Sequence, residues 1–305
     1  MLPILFQAIC ADSIAVTHMK KITGILFFAF VYFLAFGIAL SVGVILYQNG
    51  MHVLLNLLIM DVIATVIVYV FGLINKSPSI YDPYWSVQTL IFYVFLLILY
   101  NNWNLGTILV LIAVSYYTIR LTANFFIGFD DIHYIDWRYK MLREKSGKFF
   151  QFVNFFGINM MPTLLVYLAS VPFFVYAVDQ SFLFTDFIGL IVIVLAVTLE
   201  MIADIQMKQF AKTRTSRAEV LDKGLWRLSR HPNYLGEISV WAGGAMLLIG
   251  HTDQWWWIAG AIGMVLLFLF ISIPMIEKNY LTYKPTYQEY RERTSVLLLL
   301  PPKKK

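Results

Sequence analysis

Apolar residues gather into eight long runs, near 22–47, 52–74, 86–101, 105–127, 158–178, 184–206, 234–251 and 255–277, each closed by a short polar interruption. A hydrocarbon core about 30 Å thick is crossed by roughly 20 helical residues at about 1.5 Å each. The pattern therefore predicts an all-α, polytopic membrane helical bundle of about eight transmembrane helices, the third being the shortest. The opening "MLPILFQAIC", residues 1–10, is apolar but too short to span, and it has neither a basic leader nor a cleavage signature. It is expected to be an interfacial or disordered start. Residues 1–75 then form N-terminal transmembrane helices, and 76–305 hold the remaining chemistry.

Composition agrees. Of 305 residues 60% are hydrophobic, 17% aromatic and only 13% charged, more apolar surface than one water-soluble core can hide. The 23 lysines and arginines all fall on alternate connections or at their edges, while "YQNGMH", "NNWNLG", "AVDQSFLFTD" and "GHTDQ" carry none. Because cations are retained on the cytoplasmic side, both termini are expected there. The net charge of +5 lies along membrane edges, where cations orient the protein and touch anionic lipid, so no nucleic acid is expected as a partner. The single Cys10 excludes an internal disulfide framework and a thiolate metal cluster. There is no phosphate-cradling glycine loop, soluble dinucleotide fingerprint or internal repeat. The terminal "PPKKK" resembles a dilysine retrieval signal without a lysine at the fourth position from the end, which leaves a bacterial plasma membrane and the endoplasmic reticulum equally open.

Polar residues beside an apolar core are costly and so are candidates for function. In "SIYDPYWSVQ", Asp82 and Trp85 flank the start of the third helix; capping plus an interfacial anchor is the plainer reading. In "SYYTIRLTANFF", Tyr117 and Arg120 share one helix face, either as a phenol able to polarise a carbonyl or as members of the interfacial belt. "GFDDIHYIDWRYKMLREKSGK" predicts a solvated cytoplasmic helix, Trp137 and Arg138 being its candidate exceptions. In "LEMIADIQMKQF", Glu200 and Asp204 stand four apart on one face, suited to sugar hydroxyls, an adenine amine, or pairing with loop arginines. In "GLWRLSRHPNYLGE", Pro232 opens a helix whose free amides and positive dipole end face Arg227, Arg230 and His231. Guanidinium forks engage phosphate, and Asn233 offers both a donor and an acceptor.

"SRHPNYLGE", a helical hairpin, and then "IPMIEKNYLTYKPTYQEYRERTSVLLLLP" resemble the C-terminal half of the steroid 5-alpha-reductase family, over roughly residues 79–301. The resemblance implies NADPH-dependent reduction of an activated carbon–carbon double bond, with the cofactor entering from the cytoplasmic side. It implies that Tyr117, paired with Arg120, polarises the substrate carbonyl, Asp82 standing in for the family's partner glutamate. It further implies cofactor contacts from Glu200, at a family asparagine position, and from Asp204, Asn233 and Glu237. Lys208 or Lys212 stands near a phosphate-facing arginine, and Tyr280 or Tyr283 near a cofactor-touching tyrosine. The expected substrate is small and hydrophobic, a sterol, polyprenoid or fatty enone. The bilayer is the only other partner the sequence implies, and no obligatory protein partner follows from it.

The same stretch also resembles membrane methyltransferases of the isoprenylcysteine carboxyl and phospholipid type, through Arg230, His231, Pro232, Tyr234, Gly236, Glu277, Tyr287 and Tyr290. Those enzymes bind S-adenosylmethionine, and they show a double glutamate where this chain has Ile276 and Glu277. Reduction ranks first, methyl transfer second, and lipid binding without catalysis third.

Overall fold

A computed structural model describes residues 2–179 and 181–303, and among them it contains helices, turns and one isolated bridge, Ser229 to Ser295. Seven helical stretches are long and apolar enough to cross a membrane: Met19–Gln48, Val53–Ile74, Pro78–Tyr100, Leu105–Ile127, Trp137–Val178, Asp186–Thr213 and Trp255–Tyr283. They match seven of the eight expected runs and make the chain a polytopic helical membrane protein. In chain order the helices are α1 Leu2–Gln48, α2 Val53–Ile74, α3 Tyr84–Tyr100, α4 Leu105–Ile127, α5 Trp137–Ser146, α6 Phe150–Phe152, α7 Met161–Asp179, α8 Asp186–Thr213, α9 Leu225–Leu228, α10 Pro232–Met246, α11 Ala259–Leu267, α12 Ile273–Tyr283 and α13 Tyr287–Arg293.

Three expectations change. The backbone of the apolar start is helical and continuous with the first span in α1, rather than a separate interfacial or disordered segment. The run 234–251 yields only the 15-residue α10, about 22 Å long, because residues 247–251 turn away through Gly250 at φ +88°. The connection after α4 does form a helix, α5, begun by the Asp136 side chain accepting from the Arg138 amide at 2.9 Å and closed at Gly147 with φ +51°. Beyond that expected helix, the chain runs on through α6 and a π-helical segment, Val153–Met160, into α7. The final two lysines lie outside the described residues.

The chain divides into two compact units, Met1–Phe95 with Leu121–Tyr167, and Leu96–Arg120 with Leu168–Lys305. In the first, α1 and α2 pack through Met60 against Gly43, and Asn56 donates to the Gly43 carbonyl at 2.8 Å. Its apolar core holds a buried polar chain: Tyr84 donates to Asp61 at 2.7 Å, and Thr163 bonds both Thr65, at 2.9 Å, and Tyr81, at 2.8 Å. In the second, α8 and α10 cross in near backbone contact, since a Cβ on Gly243 would sit 3.0 Å from the Gly189 carbonyl and one on Gly236 2.8 Å from the Ala196 carbonyl. Close glycine contact of this kind replaces the missing hydrophobic driving force between helices in lipid. At the other end of α8, the buried Asp186 accepts from Tyr176 at 2.7 Å and pairs with His251 at 2.8 Å.

The cation pattern makes a prediction about orientation. In a Cys10→Ser background, a cysteine placed at Ser181 and one at Ser216 should be labelled by an impermeant thiol reagent from opposite sides of the membrane. Labelling of both from one side would end the alternating topology.

Candidate functional site

Eight residues of the second unit converge where α4, α8 and α10 meet. Tyr117, fully buried, donates its hydroxyl to Glu237 Oε1 at 2.7 Å, and Trp241 Nε1 donates to the same oxygen at 3.0 Å. The Trp241 indole stands edge-on to the phenol with ring centres 5.5 Å apart, which fixes the ring while leaving its hydroxyl directed at the carboxylate. One turn along α4, Arg120 is ion-paired with both Glu200 and Asp204. Asn233 Nδ2 lies 3.4 Å from Asp204 Oδ1, and Lys208 lies beside Asp204.

These contacts depend on how closely α10 lies on α8. A Cβ at Gly236 would fall 2.7 Å from Glu200 Cβ, so only glycine lets the two carboxyl-bearing faces approach. The approach leaves three buried acceptor atoms in this cluster without a hydrogen bond from an N–H or O–H: Glu200 Oε2, Glu237 Oε2 and Asn233 Oδ1. Buried polar groups are nearly always satisfied; the Glu200 and Glu237 carboxyls lie against each other here, and with Asn233 they are candidates to meet hydrogen-bond donors.

The expected residues divide into those the fold gathers and those it separates. Tyr117, Arg120, Glu200, Asp204, Asn233 and Glu237 form the cluster, with Lys208 at its edge. Asp82 accepts from Tyr139, in a network with Asp136 and Arg138 at the start of α5, and the carboxylate on Tyr117 is that of Glu237. Arg230 is not an open fork, because its Nε lies 3.3 Å from Glu277 Oε1 and its Nη1 donates to the Arg291 carbonyl at 3.3 Å. His231 Nε2 contacts the same Glu277 oxygen at 3.1 Å, and its ring stacks on Tyr234 with centres 5.4 Å apart and planes within 9°. Arg227 is exposed and lines a separate cavity of about 400 Å³ with Asp222, Arg293 and Lys303. Tyr283 makes its ring contacts with Tyr280 and Lys284.

Trp241 escaped the sequence reading, although it stands one turn after Glu237 on the same face of α10. Asp61 escaped as well; a lone carboxylate inside "LLIMDVIATV" is the signal that marks it. Glu277 entered only through the methyltransferase pattern, whereas in the structure it gathers Arg230, His231 and Arg291, the last at 3.2 Å.

Burial pushes the His231 ring below its ordinary range, against the opposing pull of Glu277. The unfolded chain therefore takes up a proton at a higher pH than the folded chain does, so this residue favours folding above about pH 6.5 and loses that contribution as the pH falls through its folded value. The thermal midpoint in a neutral detergent should decline between pH 7 and 5, and His231→Gln should flatten the decline. An unchanged profile in the variant would remove His231 as the cause.

Residues 68–294 match the family described as "Protein of unknown function (DUF1295)". Neither the curated proteins nor the solved structures contain a match to the chain.

Proposed function

We propose a function for a chain that belongs to the DUF1295 family: it is a membrane reductase that uses NADPH to reduce the activated double bond of a lipidic or steroid-like enone. The observation that carries the reading is the buried Tyr117–Glu237 hydrogen bond set one turn from the Arg120 ion pairs. The carboxyl holds the phenol in place, and when Glu237 carries a proton and donates to the phenol oxygen, the phenol O–H turns to donate to a carbonyl oxygen on which charge develops. The resemblance of this Tyr-x-x-Arg pair and of "HPNYLGE" to the steroid 5-alpha-reductase family supports the same assignment.

The residues present fit the cofactor. The orphaned acceptors of Glu200, Glu237 and Asn233 suit the carboxamide NH₂ and ribose hydroxyls of a nicotinamide riboside. Lys208 stands at the edge of the cluster where a phosphate would be met. When bound, NADPH would supply the hydride for the β carbon of the enone, and water the proton that the α carbon takes as the enolate collapses. On the protein's side, Arg120 holds Glu200 and Asp204 in place through its ion pairs, Trp241 and Gly236 fix the distance between α4, α8 and α10, and Tyr117 stabilises the enolate oxygen.

A second reading is favoured by a specific observation. Glu277 with Arg230 and His231, above Tyr287 and Tyr290, reproduces the methyltransferase pattern as an assembled cluster, and an acceptor-rich row also suits a sulfonium. Titration of the purified protein with each ligand separates the two. Binding of NADPH, with oxidation of NADPH upon addition of a sterol or polyprenoid enone, is the expected result. Binding of S-adenosylmethionine without NADPH binding would replace the reductase reading, and binding of neither would leave a lipid-binding protein.

A further inference from the structure

Between α12 and the segment after α13 lies a groove of about 590 Å³ whose one end is cationic and whose walls are apolar. Arg230, Lys278 and Arg291 line the charged end against the single carboxylate of Glu277, and Phe270 and Leu281 line the wall. The charged end is built rather than merely superficial. Arg230 is buried, 7% exposed, and its Nε is without an aligned hydrogen-bond partner although Glu277 lies 3.3 Å away. Arg291 is half-exposed at the rim, and the exposed Lys278 enters no ion pair among the described residues. The wall opens outward through Phe270 at 71% and Leu281 at 41% exposure, the surface a membrane protein presents to acyl chains.

We infer that this groove is a binding site for one anionic phospholipid of the cation-bearing leaflet, its phosphate held by the exposed Lys278 and the rim guanidinium of Arg291, with Arg230 and Glu277 bracing the site beneath them, and an acyl chain laid along Leu269 and Phe270. Three cations against one carboxylate leave the charged end net positive, which matches a phosphodiester and not a zwitterionic headgroup. The guanidinium of Arg291, half-exposed at the rim, and the ammonium of Lys278 supply the donors a phosphate takes. An anionic leaflet adds a local excess of such lipid beside juxtamembrane cations. The walls distinguish a lipid from a soluble anion, since a free phosphate would leave the apolar part of the groove, at Leu269, Phe270 and Ile273, unfilled. The site involves neither Tyr117 nor the orphaned acceptors around it, so it stands apart from the reductase proposal.

The test uses the full chain in a neutral detergent, titrated with phosphatidylglycerol, phosphatidylcholine or inorganic phosphate, with retained lipid counted by native mass spectrometry and stability followed by thermal midpoint. Wild type should retain one phosphatidylglycerol and gain stability from it, with little response to phosphatidylcholine or phosphate. Lys278→Glu alters an exposed side chain without an ion pair, so the fold survives; affinity for phosphatidylglycerol should fall about tenfold or more, the scale of lost phosphate contacts. Lys148→Glu makes the same charge change on the exposed side chain over Phe149 and should leave affinity as in wild type. Equal response to the two lipids, equal loss in both variants, or stabilisation by inorganic phosphate alone would overturn the site.

Discussion

Tyr117→Phe should lower turnover on a reducible enone by on the order of 10²- to 10³-fold, the usual loss for one donor to a developing oxyanion. The substitution deletes only the hydroxyl, so the edge-on packing against Trp241 remains. Glu237 Oε1 keeps the indole N–H at 3.0 Å but loses the phenol, at a stability cost of about 1–3 kcal/mol for a buried acceptor left short of a partner. NADPH affinity, measured without turnover, should stay near that of wild type. Glu237→Gln should also depress turnover, and the double variant should lose little more, because residues that act as a unit are far from additive. Asp82→Asn should leave turnover within a few fold of wild type, since its partner is Tyr139. Full turnover in Tyr117→Phe would show the tyrosine to be a packing residue, and an Asp82→Asn enzyme as impaired as Tyr117→Phe would restore the aspartate to the reaction.

Arg120→Leu should be among the most destabilising single changes in the chain. Arg120 is the cation paired with both Glu200 and Asp204, and the Arg120 and Glu200 side chains are only 5% and 6% exposed. Its removal leaves two carboxylates facing each other in a low-dielectric interior, a loss of about 3–5 kcal/mol for breaking a buried pair from one side. That corresponds to a fall in thermal midpoint on the order of 10 °C. The triple change Arg120→Leu, Glu200→Gln and Asp204→Asn should recover much of the loss, because neutral amides no longer need the cation. Arg120→Lys should fall between, since one ammonium cannot fork to two carboxylates. Equal midpoints for wild type and Arg120→Leu would show that the pairs contribute nothing net.

The sequence by itself determined what depends on one segment at a time. Seven of the eight spans follow from run length against bilayer thickness, and the start of α10 at Pro232 follows from a residue that fits only a first helical turn. The local pairs were equally legible: Tyr117 with Arg120, and Glu200 with Asp204, share helix faces because residues three or four apart always do. Tertiary structure decided which faces meet. Tyr117 and Glu237 stand 120 positions apart, and no periodicity within α4 or α10 sets their pairing. It is set by glycines at 189, 236 and 243, which allow α10 to lie against α8 closely enough for carboxylates on one helix to reach groups on another. The sequence offered Asp82 as the carboxylate for Tyr117 because both were polar residues near apolar runs, but α5 begins at Asp136 and brings Tyr139 to Asp82 first. Arg230 and His231 read as an open anion site because the residue that occupies them, Glu277, lies 46 positions beyond His231 on a separate helix. Helix formation and membrane insertion are determined by residues near in sequence, while ion pairs in a helical bundle are chosen by packing between segments, where a shift of one turn exchanges every partner.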